Sequence, residues 1–378
     1  MQDELLNQPG TGGILIQGTS KAEIATAHQS FLKHCSKLGL ARFLETIEET
    51  DCTIRFRLCN PVDDPYPDTF NTLQLCNTFQ LNPHTNIDDL EKEIFLSLLS
   101  GPLTFAYPSY AEFSAAIRIR INIVEAARRT ALAFHTSKIE RPADFWTYNE
   151  DRGFTILPGK QLIDALRKAT QPETSGERYA FSCYRATEYV ILLALAQEAA
   201  VSNPALLPQL QQQWESRAIM SRRFHDTFLT EFGSINQPLP ISYYIPGDRL
   251  WFRNPDTHSA DIDGYEGSWV FYLGNGLFSN FWEQEKPYTL PSKCIEIYHW
   301  RHGVTEDASG NLHMDEAVVA ERVRTTLDSP EETAHILDLM IRLRDPQGVY
   351  AEGGCIDASR ECPRFICPES SDIFLPET

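Results

Sequence analysis

Apolar and polar positions along the chain recur with two periods, and they divide it into helical and extended segments. Gly13-Ile14-Leu15-Ile16-Gln17-Gly18 is an apolar run between turn residues and predicts a short strand. Ala22 to Leu40 predicts a helix, and Thr53-Ile54-Arg55-Phe56-Arg57-Leu58 alternates as a half-buried strand does. Ile87 to Leu99 predicts a second helix. Over residues 109–135, Ile117, Ile121 and Val124 repeat at helical spacing, and Ser109 followed by Glu112 reads as a capping box. Arg118, Arg120, Arg128 and Arg129 interleave with that pattern and predict a solvated face. Gly159 to Lys168 predicts another short helix.

The segment from Tyr184 to Ala200 differs in kind. Val190-Ile191-Leu192-Leu193-Ala194-Leu195-Ala196 is apolar on every side, which places this helix inside a core and Cys183 at or near its N-terminal end. Strands are predicted at Asp248–Phe252, Trp269–Leu273 and Cys294–Tyr298, separated by Gly, Pro, Asn and Asp. Ser329-Pro330-Glu331-Glu332 carries an N-cap serine, a proline at the first helical position and a glutamate at the third. Ile336, Leu339, Met340 and Leu343 continue that helix. Beyond Asp345 the chain is rich in Pro, Gly, Cys and Ser and reads as a loop-like tail. No internal repeat is evident.

Composition narrows the class of protein. The 378 residues are 42% hydrophobic and 22% charged, as in soluble globular chains. No apolar run reaches the roughly eighteen residues of a spanning helix, and Met1-Gln2-Asp3-Glu4 lacks the basic start of a secretory signal. A net charge of −19 disfavours nucleic acid and anionic membrane as partners. The nine cysteines are irregularly spaced, and the gaps between Cys355, Cys362 and Cys367 are not those of a zinc knuckle. Free thiols in a reducing, cytoplasmic setting are expected, with no metal and no cofactor.

A thiol at a helix start has a chemistry of its own. The helix dipole favours thiolate there, backbone N–H groups at the same end can hold an oxyanion, and a base on a neighbouring strand can relay the proton. The same cysteine also fits a small buried core residue.

Four stretches change that balance. They are Tyr107-Pro108-Ser109-Tyr110-Ala111-Glu112 with Arg120-Ile121-Asn122-Ile123-Val124; Tyr179-Ala180-Phe181-Ser182-Cys183; Gly247-Asp248-Arg249-Leu250-Trp251-Phe252-Arg253-Asn254-Pro255; and Gly267-Ser268-Trp269-Val270 with Leu273-Gly274. In this order they resemble the spore-coat protein-glutamine gamma-glutamyltransferases of bacilli, over about residues 105–303. The resemblance implies an α+β, papain-like core without calcium, in which a central helix carrying the nucleophile packs on an antiparallel sheet. It implies a thioester between Cys183 and a glutamine side chain of a protein or peptide. Lysine or another amine then gives an isopeptide cross-link, and water gives deamidation.

Three positions depart from the family. Ser182 stands where the family has glutamate before its cysteine, Ser268 stands where its essential glutamate follows the glycine, and a family histidine falls near Phe281. Serine cannot act as a general base near neutral pH. Glu266 is the first candidate for a relocated base, because residues two apart in a strand share a face. His299, on the expected strand with Ile295 and Ile297, is the second; Asp263 and His258 are weaker. Trp251, Tyr265, Ser268 and Trp269 are expected along the substrate channel. The catalytic domain is expected over 101–305, between an extension at 1–100 and a helical, cysteine-bearing tail at 306–378. A non-catalytic scaffold that binds a partner through the old cleft is the alternative. A cysteine peptidase is disfavoured, since no His-and-Asn pairing is legible.

Overall fold

The computed structural model describes residues 12–59, 70–133, 139–344 and 354–376. The expected acidic start, the last two residues of the helix read over 109–135, and most of the first part of the loop-like tail lie outside the described residues.

The N-terminal part forms a four-stranded sheet of order β2-β3-β1-β4, from β1 (Gly13–Gln17), β2 (Leu44–Glu49), β3 (Thr53–Leu58) and β4 (Thr104–Tyr107). β1 pairs parallel to β4 and antiparallel to β3. Helices α1 (Lys21–Lys37) and α2 (Ile87–Leu99) accompany it, and α3 (Tyr110–Arg129) follows β4. Ser109 caps α3, accepting a hydrogen bond from the Glu112 N–H at 3.1 Å, but the expected capping box is only half formed, since the Glu112 carboxylate is engaged by the tail.

The arginine face of α3 is not wholly solvated. Arg120 is 4% exposed and donates to Asp248 at 2.7 Å, and Arg118 pairs with the buried Glu198. A buried guanidinium is retained because the carboxylate pairs with it.

A small hairpin, β5 (Trp146–Asn149) and β6 (Gly153–Ile156), and helix α4 (Leu162–Thr170) lead to α5 (Cys183–Ser202). Every residue from Val190 to Ala196 is buried, because α5 packs against α3, α4 and strand β9 (Gly267–Gly274). Helices α6 (Leu206–Ser216) and α7 (Arg222–Phe228), absent from the sequence reading, follow it.

The second sheet has six strands in the order β11-β10-β9-β8-β14-β7, with antiparallel neighbours throughout. Its further strands are β7 (Leu229–Phe232), β8 (Arg249–Arg253), β10 (Leu277–Phe278), β11 (Tyr288–Thr289) and β14 (Arg360–Pro363); β12 (Val304–Glu306) and β13 (Leu312–Met314) form a separate hairpin. The result is an α+β fold with the Cys183 helix laid on an antiparallel sheet.

Two expectations are corrected here. Cys294–Tyr298 is helical, within α8 (Leu290–His299). Its alternating Ile295 and Ile297 mimic a strand, but Thr289 caps the helix and Pro291 opens it, and these local signals win. The tail is not merely loop: β14 lies between β7 and β8, and Glu112 accepts from the N–H groups of Ile366 and Cys367 and from the Ser370 hydroxyl. Helices α9 (Glu316–Leu327) and α10 (Pro330–Met340) pack with α8 around a second apolar cluster.

Candidate active site

The approach to Cys183 is held on both sides. The Ala133 N–H donates to the Tyr179 carbonyl at 3.1 Å and the Glu140 N–H to the Ala180 carbonyl at 2.8 Å. Ser182 is extended and its hydroxyl accepts from the Arg185 N–H, so the helix starts at Cys183. The cysteine therefore sits at the positive end of a twenty-residue helix.

Four groups act on its sulfur besides burial. The backbone N–H groups of Trp269 on β9 and Tyr184 hydrogen-bond to it, the Lys293 ammonium attracts its negative form, and the Glu266 carboxylate opposes it. Burial is the largest effect, and it pushes the thiol above its ordinary pKa. The dipole, the two N–H groups and Lys293 act against that rise, as the helix-start position leads one to expect, and desolvation is the larger effect. Lys293 is itself only 2% exposed. Burial opposes its charge, but Glu296 at 2.9 Å and Tyr288 hold its pKa above the ordinary lysine value. Its ammonium also lies 4.0 Å from the centre of the Tyr288 ring.

Cys183 opens into a cavity of about 490 Å³ whose lining includes Glu266, Asp263, Arg141, Arg185 and Trp282. Apolar surface comes from Phe181, Phe154, Tyr148, Ile139 and Met220. Arg141 is 8% exposed, lies 3.8 Å from the centre of the Phe181 ring and donates to the Tyr189 hydroxyl at 3.1 Å. Arg185 pairs with Glu188, one turn into the helix, and Glu188 also accepts from the Ser221 N–H at 2.7 Å. A largely apolar slot with a thiol and three carboxylates, Glu150, Asp263 and Glu266, suits chemistry that must move a proton while limiting water.

The residues singled out from sequence separate into two groups. Glu266 and Asp263 line the cavity with Cys183. Trp269 reaches the sulfur through its backbone, and its ring stacks on that of Trp251 with centroids 5.9 Å apart. The others lie elsewhere. His299 sits on a helix, 1% exposed, with hydrogen bonds to Thr326 at 2.8 Å and His302 at 3.0 Å. Burial and then His302 depress its pKa to about 4, so near neutral pH it is a neutral ring with both nitrogens engaged. The Tyr265 hydroxyl donates to Glu316 at 2.8 Å and its ring packs on Trp300, away from the channel expected for it. Ser268 is buried opposite Phe252 and does not line the cavity, and neither does His258, which is on the short helix Thr257–Ala260.

Arg141, Arg185, Glu188, Lys293 and Arg249 were missed. The Arg185–Glu188 spacing of three was a legible signal, since such residues are neighbours on a helix. The approach of Lys293 had no sequence signal, because it depends on how α8 packs. Among the described residues no group of three or more His, Cys, Asp or Glu is placed to hold a metal ion, and no helix is long and apolar enough to cross a membrane.

Comparison with known proteins agrees in one direction. The family model described as protein-glutamine gamma-glutamyltransferase matches residues 72–370. The chain is similar to a protein-glutamine gamma-glutamyltransferase of Halalkalibacterium halodurans, 25% identical over 205 residues that span 53% of this chain and 66% of that protein, just under two thirds of its length. It is 24% identical to one of Bacillus licheniformis over 201 residues, 51% of this chain and 74% of that protein. A solved transglutaminase from Geobacillus stearothermophilus, without its C-terminal extension, has a TM-score of 0.39 at 20% identity, covering 57% of this chain and 98% of that one.

Proposed function

The chain belongs to the protein-glutamine gamma-glutamyltransferase family, and from that premise we propose that Cys183 transfers the acyl group of a glutamine side chain through a thioester. The observation that carries the reading is the thiol at the start of α5, facing a cavity that Glu266 shares.

The proposed cycle uses Glu266 as the general base. The Cys183 sulfur attacks the carboxamide carbon of a glutamine-bearing protein or peptide while Glu266 takes the S–H proton. The C–N bond breaks, the proton goes to the leaving nitrogen, and ammonia departs to leave the thioester. A lysine amine attacks that thioester, loses a proton to Glu266 and forms an isopeptide bond; the thiol is regenerated. Water in place of the amine yields the carboxylic acid, a deamidation. Burial raises the thiol pKa, which supports proton transfer to Glu266 in step with attack.

The test is ammonia release from carboxybenzyl-glutaminyl-glycine, with and without a primary amine. Cys183→Ala should abolish it, and Glu266→Gln should lower it by about a hundredfold or more. Incorporation of the amine marks transfer, and ammonia without incorporation marks hydrolysis. A second reading rests on Ser268 and on the raised thiol pKa: a scaffold that binds a partner through the cavity. Absence of any ammonia release, with a glutamine peptide still bound, would favour it.

A further inference from the structure

We propose that a second cavity, walled by Arg152, Arg217 and Arg223, binds a small anion bearing two or more phosphoryl groups. The cavity measures about 600 Å³, within the range of small-molecule sites. Arg152 comes from the β5–β6 turn, Arg217 follows α6, and Arg223 lies in α7; Pro376 contributes to the rim.

The charge pattern is what sets this place apart. The chain carries 52 acidic against 33 Lys and Arg residues, yet these guanidiniums converge on one concavity. All are exposed, and none has a carboxylate partner among the described residues. Glu215, the one acid in the lining, accepts from the Gln211 side chain at 2.7 Å. Arg222, beside Arg223, pairs outward with Asp226. Three guanidiniums against the single Glu215 carboxylate leave an excess of positive charge at the cavity, and a multivalent anion relieves the repulsion among them.

The arginine-bearing segments are also tied together. The Ala218 N–H donates to the Arg152 carbonyl at 3.0 Å, and the buried Gln213 side chain donates to the Arg217 carbonyl at 2.8 Å. Two of the backbone positions are thereby fixed relative to one another. Guanidinium groups present planar donor pairs that match phosphoryl oxygens, and charge-assisted bonds of this kind are the strong ones.

The site lies alongside the Cys183 cavity without sharing its proposed chemistry. Gly153 and Met220, adjacent in sequence to two of its walls, line the other cavity. Binding is therefore read without any assay of acyl transfer.

The experiment is calorimetric titration of the full chain with inorganic tripolyphosphate at about 0.15 M salt, where exposed charges are screened. Saturable binding is expected, weakened about tenfold or more by Arg217→Gln and by Arg223→Gln. Arg217→Lys should recover part of the loss, since it restores charge without the planar fork. Arg324→Gln, at an exposed arginine far along the chain in α9, should leave affinity unchanged. Three results would overturn the proposal: no saturable binding by the parent chain, an affinity indifferent to substitution of all three arginines, or equal weakening by Arg324→Gln. Tighter binding of an oligo-aspartate peptide than of tripolyphosphate would overturn the ligand class.

Discussion

The Arg249 guanidinium lies 4.0 Å from the ring centre of Trp269, the residue whose backbone N–H meets the Cys183 sulfur. It lies 4.6 Å from the ring of Tyr184, whose N–H meets the same atom, and donates to the Thr187 hydroxyl at 2.8 Å. One buried cation thus braces both donors from β8. It also pairs with Glu361 on β14, so the tail strand is part of the same support. Arg249→Met should destabilise the fold by about 3–5 kcal/mol, because Glu361 loses a buried partner. Urea unfolding measures this, and a change below about 1 kcal/mol would mean the ion pair is not structural.

The other partner of Glu361 makes that support pH-dependent. His225 lies 3.2 Å from Glu361, which raises the imidazole pKa, with burial opposing. A raised folded pKa contributes stability that is complete below the ordinary histidine range and is lost as pH rises through the folded value. For Glu361, burial is outweighed by Arg249 and His225 and its pKa is lowered, so its contribution is lost only as pH falls through that depressed value. The stability gap between the parent and His225→Gln should therefore be larger at about pH 5.5 than at about pH 8.5. Equal gaps would remove His225 from the network.

The pKa of Glu188 moves opposite to that of Glu361. Burial pushes its pKa up to about 7, while Arg185, Arg249 and the Ser221 N–H pull it down. The folded chain then holds this proton more tightly than the unfolded chain, so the residue's contribution to stability falls as pH rises from the ordinary glutamate range towards 7. Glu188→Gln should flatten that decline, as read from urea midpoints at several pH values. A parallel decline in the variant would assign the effect to other groups.

How much of this was legible follows from the range of each cause. The buried helix behind Cys183 could be read because Val190 to Ala196 are apolar on every face, a local property. The Ser109 cap could be read for the same reason. What the Glu112 side chain does could not: its N–H completes the cap, while its carboxylate holds Ile366 and Cys367, more than 250 positions away. His299 was misplaced because Ile295 and Ile297, two apart, follow the strand period, whereas the helix is buried on more than one face; Thr289 and Pro291 already marked a helix. Glu266 and Cys183 share a cavity through the return of β9 to α5, which strand alternation alone does not specify.

The pair at the cavity makes the sharpest prediction, because charge and catalysis should part company there. Glu266 opposes the negative form of the Cys183 sulfur and Lys293 favours it. Alkylation of Cys183 by iodoacetamide should have a midpoint above that of free cysteine in the parent chain. Glu266→Gln should move the midpoint down, since it deletes a negative charge; Lys293→Gln should move it up. If Glu266 is the proton acceptor, the variant with the more acidic thiol is the one with the slower ammonia release. A Glu266→Gln chain that alkylates at lower pH and still turns over at the parent rate would show that the carboxylate tunes the thiol electrostatically but does not accept its proton.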